Sequence, residues 1–146
     1  MAWADAKARI AVDLAAVAIT SPITQTIKKV YTDPPGTIGD TPCFIIYPPA
    51  LTVSRTSSSL RTKVYTVRLR LLVSDADLSR ASALVDAYRE AVMDAFDAEV
   101  ALNFTATIIE GPNIEEAASF TYGAKAYTGM DCMLTVRLLE AANFQP

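Results

Sequence analysis

The sequence predicts an α+β fold, an antiparallel or mixed β-sheet with two α-helices packed on one face and a long β-hairpin. Three observations carry that expectation. Two stretches repeat their apolar residues with helical spacing, while the segments between and after them alternate apolar and polar residues as half-buried strands do. The elements run helix, strands, helix, strands, without the regular strand–helix alternation of a parallel sheet. Each strand has one apolar face, so one side of the sheet needs a cover, and two amphipathic helices supply it. The 146 residues fit a single domain, residues 1–146, with no internal repeat and no linker.

The first helix is expected over residues 4 to 19. Trp3, Ala6, Ile10, Leu14 and Val17 share one arc, and Asp5, Arg9, Asp13 and Thr20 share another. A third arc of Ala8, Ala11, Val12, Ala15 and Ile19 is apolar and small, open to a second helix or another subunit. Ser21-Pro22 stops the helix, because Pro22 has no N–H and disfavours helical geometry at Ser21.

Extended segments follow at Ile27 to Thr32, Cys43 to Tyr47 and Thr62 to Val73. In the last of these Tyr65, Val67, Leu69, Leu71 and Val73 form the buried face, opposite Thr66, Arg68 and Arg70. Asp33-Pro34-Pro35-Gly36 is a turn. Ser54 to Arg61, with three consecutive serines, is the tip of the long hairpin. Its serines offer no apolar anchor, so the tip is expected to be mobile in the free protein and ordered on binding.

The second helix opens on Ser74-Asp75-Ala76-Asp77, which supplies capping oxygens. Leu78, Ala81, Leu84, Val85, Tyr88, Ala91, Val92, Ala95 and Phe96 occupy its apolar face, and Asp86, Glu90, Asp94 and Asp97 another. Beyond it, Asn103 to Glu110 is a strand, Gly111-Pro112-Asn113 a turn, Ser119 to Tyr122 a short strand and Ala126 to Leu139 a long one. On the long strand Ala126, Thr128, Met130, Cys132, Leu134, Val136 and Leu138 oppose Asp131, Thr135 and Arg137.

The chain contains no histidine, which removes the commonest general base, the Ser-His-Asp arrangement and every histidine-containing zinc site. Cys43 and Cys132 are too few for a disulfide scaffold or a four-thiolate metal site, and both are expected buried and reduced on core-facing sides of strands. Asp75 and Asp77 are read as helix caps rather than metal ligands, and Glu115-Glu116 as solvated. Gly36-Thr37-Ile38-Gly39 lacks the lysine of a phosphate cradle. No catalytic, cofactor-binding or metal-ligating residue is expected, and no enzyme.

A net charge of −3 argues against a nucleic-acid binder that works by bulk positive charge. The apolar run Ile10 to Ile19 is interrupted by Asp13 and is too short to span a bilayer, and no signal peptide is expected. Synthesis in the cytoplasm follows as an expectation, and Asn103-Phe104-Thr105 is then a chance match to a glycosylation acceptor. A 51% hydrophobic share in one small domain points to apolar surface reserved for a protein partner.

Charge placement suggests what that partner is. Residues 55 to 70 hold Arg55, Arg61, Lys63, Arg68 and Arg70 with no acid, whereas Asp86, Glu90 and Asp94 stand four apart on the second helix. Such a row repels itself by roughly 0.2 to 0.5 kcal/mol per pair. Arg68 and Arg70 point away from the chain's own helices, so a basic hairpin from an identical neighbour is expected to meet the acidic helix in a head-to-tail ring. The interface residues on this reading are Arg55, Ser57, Ser58, Ser59, Arg61, Arg68, Arg70, Asp86, Glu90 and Asp94. Two solvated faces of a monomer are the alternative.

The opening amphipathic helix, Val30-Tyr31-Thr32-Asp33-Pro34-Pro35, the following Thr41-Pro42-Cys43-Phe44-Ile45-Ile46, the strand-loop-strand from Cys43 to Val73, the helix Asp77 to Asp97 and the closing strand together carry a resemblance. Over nearly its whole length the chain resembles the tail terminator (tail completion) proteins of long-tailed bacteriophages. The resemblance implies a small α+β structural protein without catalytic residues or cofactors. It implies a hexameric ring that caps the tail tube, ends tail elongation and offers the docking surface for the head connector. The partners so implied are further copies of the chain, the tail tube protein and a connector or stopper protein, with the hairpin tip ordering against the tube or a neighbour. The location implied is the virion, at the tail-to-head junction, after synthesis in the host bacterium. A head-side neck protein of the same fold, a stopper or adaptor, is an alternative. A small cytosolic α+β enzyme or ligand-binding module, using carboxylates and tyrosines around a pocket, is another.

Overall fold

The computed structural model describes residues 3–55, 59–75, 78–97 and 108–141. Among them two helices lie against one face of a mixed, mostly antiparallel seven-stranded sheet, the α+β class that the periodicities predict. Helix α1 (Trp3–Ala15) ends earlier than its apolar spacing suggests. Ala16 and Val17 donate to the carbonyls of Asp13 and Leu14 at 3.3 and 3.2 Å, a tightened last turn, and the chain then enters strand β1 (Ala18–Ile19), paired with β2 (Gln25–Thr26). The β-branched Val17, Ile19 and Thr20 lose side-chain freedom in a helix and fit an extended backbone, so they end α1 before the proline does. Val17 and Ile19 stay buried because spacing by two serves a strand as spacing by three or four serves a helix.

The predicted strand at 27–32 is shorter, β3 (Lys29–Tyr31), and runs parallel to β4 (Cys43–Ile46). Strand β6 (Leu60–Ser74) receives β4 along Leu69 to Leu72 and β5 (Ala50–Arg55) along Arg61 to Thr66. Pro48 and Pro49 separate these two strands, since neither can donate to the ladder. The other side of β6 pairs with β9 (Lys125–Ala141) from Leu60↔Ala141 to Ser74↔Thr128. Strands β7 (Ile108–Ile114) and β8 (Ala118–Tyr122) complete the sheet on the far side of β9.

Gly111-Pro112-Asn113, expected as a turn, lies inside β7 as a register shift between Glu110 and Asn113. Gly111 takes φ +95°, and a strand with neighbours on one side only tolerates a residue that cannot donate. Of the predicted strand beginning at Asn103, residues 103–107 lie outside the described residues, as do Ala76 and Asp77 of the predicted cap.

Helix α2 (Leu78–Asp97) buries Ala81, Val85, Tyr88, Val92 and Phe96 against the sheet, beside Ala6, Ile10 and Leu14 of α1. Facing them are Phe44, Ile46, Tyr65, Val67, Leu69, Leu71, Met130, Cys132, Leu134, Val136 and Leu138, the alternation expected of β6 and β9. Side chains such as Phe96 or Leu69 contribute about 1.5 to 3 kcal/mol each when taken out of water. Burial pushes the Tyr88 hydroxyl up to about 12, and it donates to Gln25 Oε1 at 2.9 Å, tying α2 to β2.

The opposite face of the sheet is less polar than its sequence pattern suggests. Cys43, Ile45, Leu72 and Tyr127 form a second buried cluster there, ringed by Tyr31, Ile38, Tyr47, Phe120 and Tyr122. The Tyr122 hydroxyl donates to the Pro35 carbonyl, so the loop between β3 and β4 folds over this face. Cys132 thus sits under the helices as expected, whereas Cys43 is buried on the other side.

Two measurements test this packing. A Cβ at Gly129 would stand 1.8 Å from the Leu71 carbonyl oxygen, whereas one at Gly36 would meet nothing within 4 Å. Gly129→Ala should cost about 3 kcal/mol or more in chemical denaturation, because backbone rather than a side chain must move. Gly36→Ala should stay within about 0.5 kcal/mol of the parent. Burial raises the Cys43 thiol to about 11 and the Cys132 thiol to about 12, leaving little thiolate at pH 8. Ellman's reagent should label neither in the native protein and both after denaturation. Fast labelling of either native thiol would contradict the strand registers.

Candidate functional site

The predicted basic strip is built differently from its expectation. Arg68 and Arg70 do point away from the helices, but the β6–β9 register sets Asp131 directly across from Arg70. Arg70 Nε and Nη2 reach the two Asp131 oxygens at 2.8 and 3.0 Å, a forked pair, and Arg68 Nε lies 3.7 Å from Asp131 Oδ2. The Arg70 guanidinium also lies 4.1 Å from the Phe120 ring centre and 5.3 Å from that of Tyr47, whose hydroxyl it meets at 3.4 Å. Asp131 is only 4% exposed. The hydrogen bond to Asp131 holds the Arg70 pKa above its ordinary value.

Glu140 does the same for the next pair of cations. It stands across from Arg61 and accepts from Arg61 and from Lys63, the latter at 2.9 Å. Lys63 and then Arg61 hold its carboxyl below the usual range. Arg137 and Glu110 pair at 2.9 Å across β9 and β7. The acids that match this basic run therefore sit on β9. A reading of residues 55 to 70 alone could not find them.

The acidic helix matches its expectation more closely. Asp86, Glu90 and Asp94 are all exposed on α2. Glu90 and Asp94 border an open groove of about 620 Å³ between α2 and the α1–β1 connection, and Asp86 does not line it. Val17, Ile19, Ala87, Ala91 and Ala95 supply its apolar lining, and no lysine or arginine is among its described lining residues. Asp13, which spacing groups with Asp5, Arg9 and Thr20, is 7% exposed, lines the same groove and pairs with Arg9 at 3.5 Å.

Of the predicted hairpin interface, Ser57 and Ser58 lie outside the described residues, so the expected mobility of the tip falls there too. Arg55 stands directly across from Arg61, and Ser59 is exposed beside it. Strand β5 is exposed over its whole length. Leu51 pairs with Tyr65 and Val53 with Lys63, so Leu51, Val53 and Arg55 share the helix-side face on which Trp3 stacks against Tyr65 at 4.9 Å. Leu60, Leu139 and Ile108 lie on the other face. All five of these aliphatic residues are 40–50% exposed.

These apolar residues were not singled out from the sequence. The available signal was parity: Leu139 falls on the strand face of Thr135 and Arg137, where a polar residue would be expected. Edge protection is uneven as well. Strand β7 carries a bulge and Pro112, and β3 is three residues long and contains Lys29, but β5 has six residues and neither proline nor lysine.

Among the described residues no three histidine, cysteine or carboxylate side chains gather as a metal site would require, and no helix is long and apolar enough to cross a membrane. Comparison of the sequence with protein families and with curated proteins finds no match. The described surface thus carries partly exposed aliphatic side chains at the ribbon end and, elsewhere, a groove bordered by carboxylates.

Removing the acid that Arg70 depends on should be costly. Asp131→Ala should destabilise the protein by about 3 to 5 kcal/mol, since a cation 18% exposed loses its partner. Glu110→Ala, at the exposed pair with Arg137, should cost less than about 1 kcal/mol. Urea titration of both variants checks the difference, and equal losses would refute the distinction.

Proposed function

We propose that this chain is a structural protein of a long-tailed bacteriophage, a tail terminator. On this reading several copies close into a hexameric ring on the end of the tail tube, stop its elongation and present the surface on which the head connector docks. Its place is then the virion's tail-to-head junction. The observation that carries the proposal is the hairpin end of the sheet, where β5, β6, β7 and β9 expose Leu51, Val53, Leu60, Ile108 and Leu139 on both faces. A small domain gains nothing by presenting such residues to water, and apolar surface of this kind marks contact with another protein. The order of elements supports the same reading through the family resemblance described above.

The two separate patches, one on the ribbon and one beside α2, suit a heterologous contact that repeats around an axis rather than a two-fold dimer. The closed ring would hide β5, the edge that its own sequence leaves unprotected.

Purified protein should be mixed with growing tail tubes of a tube protein from the same genome, and tube ends imaged by negative-stain electron microscopy. The expected result is a six-fold ring at one end and arrested tube growth. Bare ends and unchanged growth would overturn the assignment, and binding to the connector alone would move the protein to the head side of the neck.

A further inference from the structure

The ribbon end and the groove beside α2 are complementary, and we propose that they bind each other between copies of this chain. The β5–β6 hairpin of one copy lays its Leu51, Val53 and Arg55 face into the groove of the next. This contact rests on the ring reading above and specifies its interface.

The hairpin face combines two exposed aliphatic side chains with cations. Leu51 and Val53 alternate along β5 with Arg55 beyond them, and the register brings Arg61 and Lys63 of β6 to the same face. There Arg61 and Lys63 share the single carboxylate of Glu140, and Arg55 stands directly across from Arg61. The groove offers the reverse. Its apolar lining of Val17, Ile19 and three alanines leaves room for branched side chains, and Glu90 and Asp94 stand at its border without a cation among the lining residues. Aliphatic residues meet an apolar floor while cations meet carboxylates, which sets both affinity and orientation.

The same geometry removes Arg68 and Arg70 from the interface. Both are directed at Asp131 on the face away from the helices, and Arg70 is enclosed by Phe120 and Tyr47. The cation that shares the face of Leu51 and Val53 on β5 is Arg55, at the ribbon end, and it is the one placed at the contact. Because hairpin and groove are different patches, each copy is donor to one neighbour and acceptor to the other, the kind of contact that forms a ring when the rotation between neighbours closes.

Two experiments on the full chain test the contact, in solution at rising concentration and on tail tubes. In the first, Arg55→Glu is compared with Glu90→Lys combined with Asp94→Lys. Each variant alone should self-associate at least tenfold more weakly than the parent, and an equal mixture should recover assembly, because an alternating ring pairs every hairpin with a groove of opposite sign. In the second, Val53→Cys and Ala91→Cys are placed in one chain and oxidised. A ladder of covalent species beyond the dimer is expected, with Val53→Cys alone and Ala91→Cys alone remaining monomeric. Rings that form without the ladder and ignore the charge reversals would overturn this contact and leave the ring reading standing. A covalent dimer from Val53→Cys alone would overturn it in favour of β5-to-β5 pairing, and absence of any self-association in solution or on tubes would overturn both. Thermal melts of each variant confirm that the fold is kept, and the cysteine pair reads the contact without reversing any charge.

Discussion

The pairing of β6 with β9 is the constraint on which the rest of the molecule depends. It is the longest ladder in the sheet, and every other strand of that sheet except β3 attaches to one of its two members. A slip of one residue would turn Val67, Leu69, Leu134 and Val136 to the wrong face and separate Arg70 from Asp131 and Arg61 from Glu140 in the same stroke. Apolar burial on one face and ion pairing on both thus select one register. At the covered end of the ladder Gly129 lets the backbone of Leu71 approach where no side chain could stand, so a steric lock adds to the two energetic ones.

That ladder is longer than the layers that cover it. Near Gly129 the sheet is protected on both sides, by the helices on one and by the Cys43 cluster with the loop after β3 on the other. Towards Arg55 and Ala141 neither layer continues among the described residues, and aliphatic side chains are partly exposed on both surfaces. On the proposed reading, central strands built past the domain's own core form part of a surface for a neighbouring copy. The satisfied ion pairs have a related consequence. They fix the ribbon's register within the chain, so on the proposed reading the end that meets a neighbour is shaped before it arrives, which lowers the ordering cost of binding.

Much of the fold was legible in the sequence because long elements carry redundant signals. Tyr65 to Val73 and Met130 to Leu138 alternate without interruption, and Val85, Tyr88, Val92 and Phe96 keep helical spacing over several turns. The errors fall where two signals overlap. Val17 and Ile19 satisfy a helix period and a strand period at once, and Gly111-Pro112 reads as a turn unless an edge strand is known to be there to accept a bulge. Asp13 was placed with its polar neighbours by spacing alone, yet the turn into β1 buries it beside Arg9. Of the proposed interface, the acidic row on α2 could be read directly, because helical geometry follows from local spacing.

The sequence by itself determined the class of fold, the two helices, the buried faces of the long strands and the sign of each charge patch, since all of these depend on the order of neighbouring residues. Only the tertiary structure decided which arginines meet which acids across β6 and β9. Asp131 and Glu140 lie 61 and 79 residues from the arginines they meet, and no local pattern announces a pairing at that separation. Tertiary packing also made the groove, by turning the chain after Ala15 so that Val17 and Ile19 stand beside the alanines of α2. Periodicity records which face of an element is buried; which surfaces are left over depends on how far each layer reaches past the next.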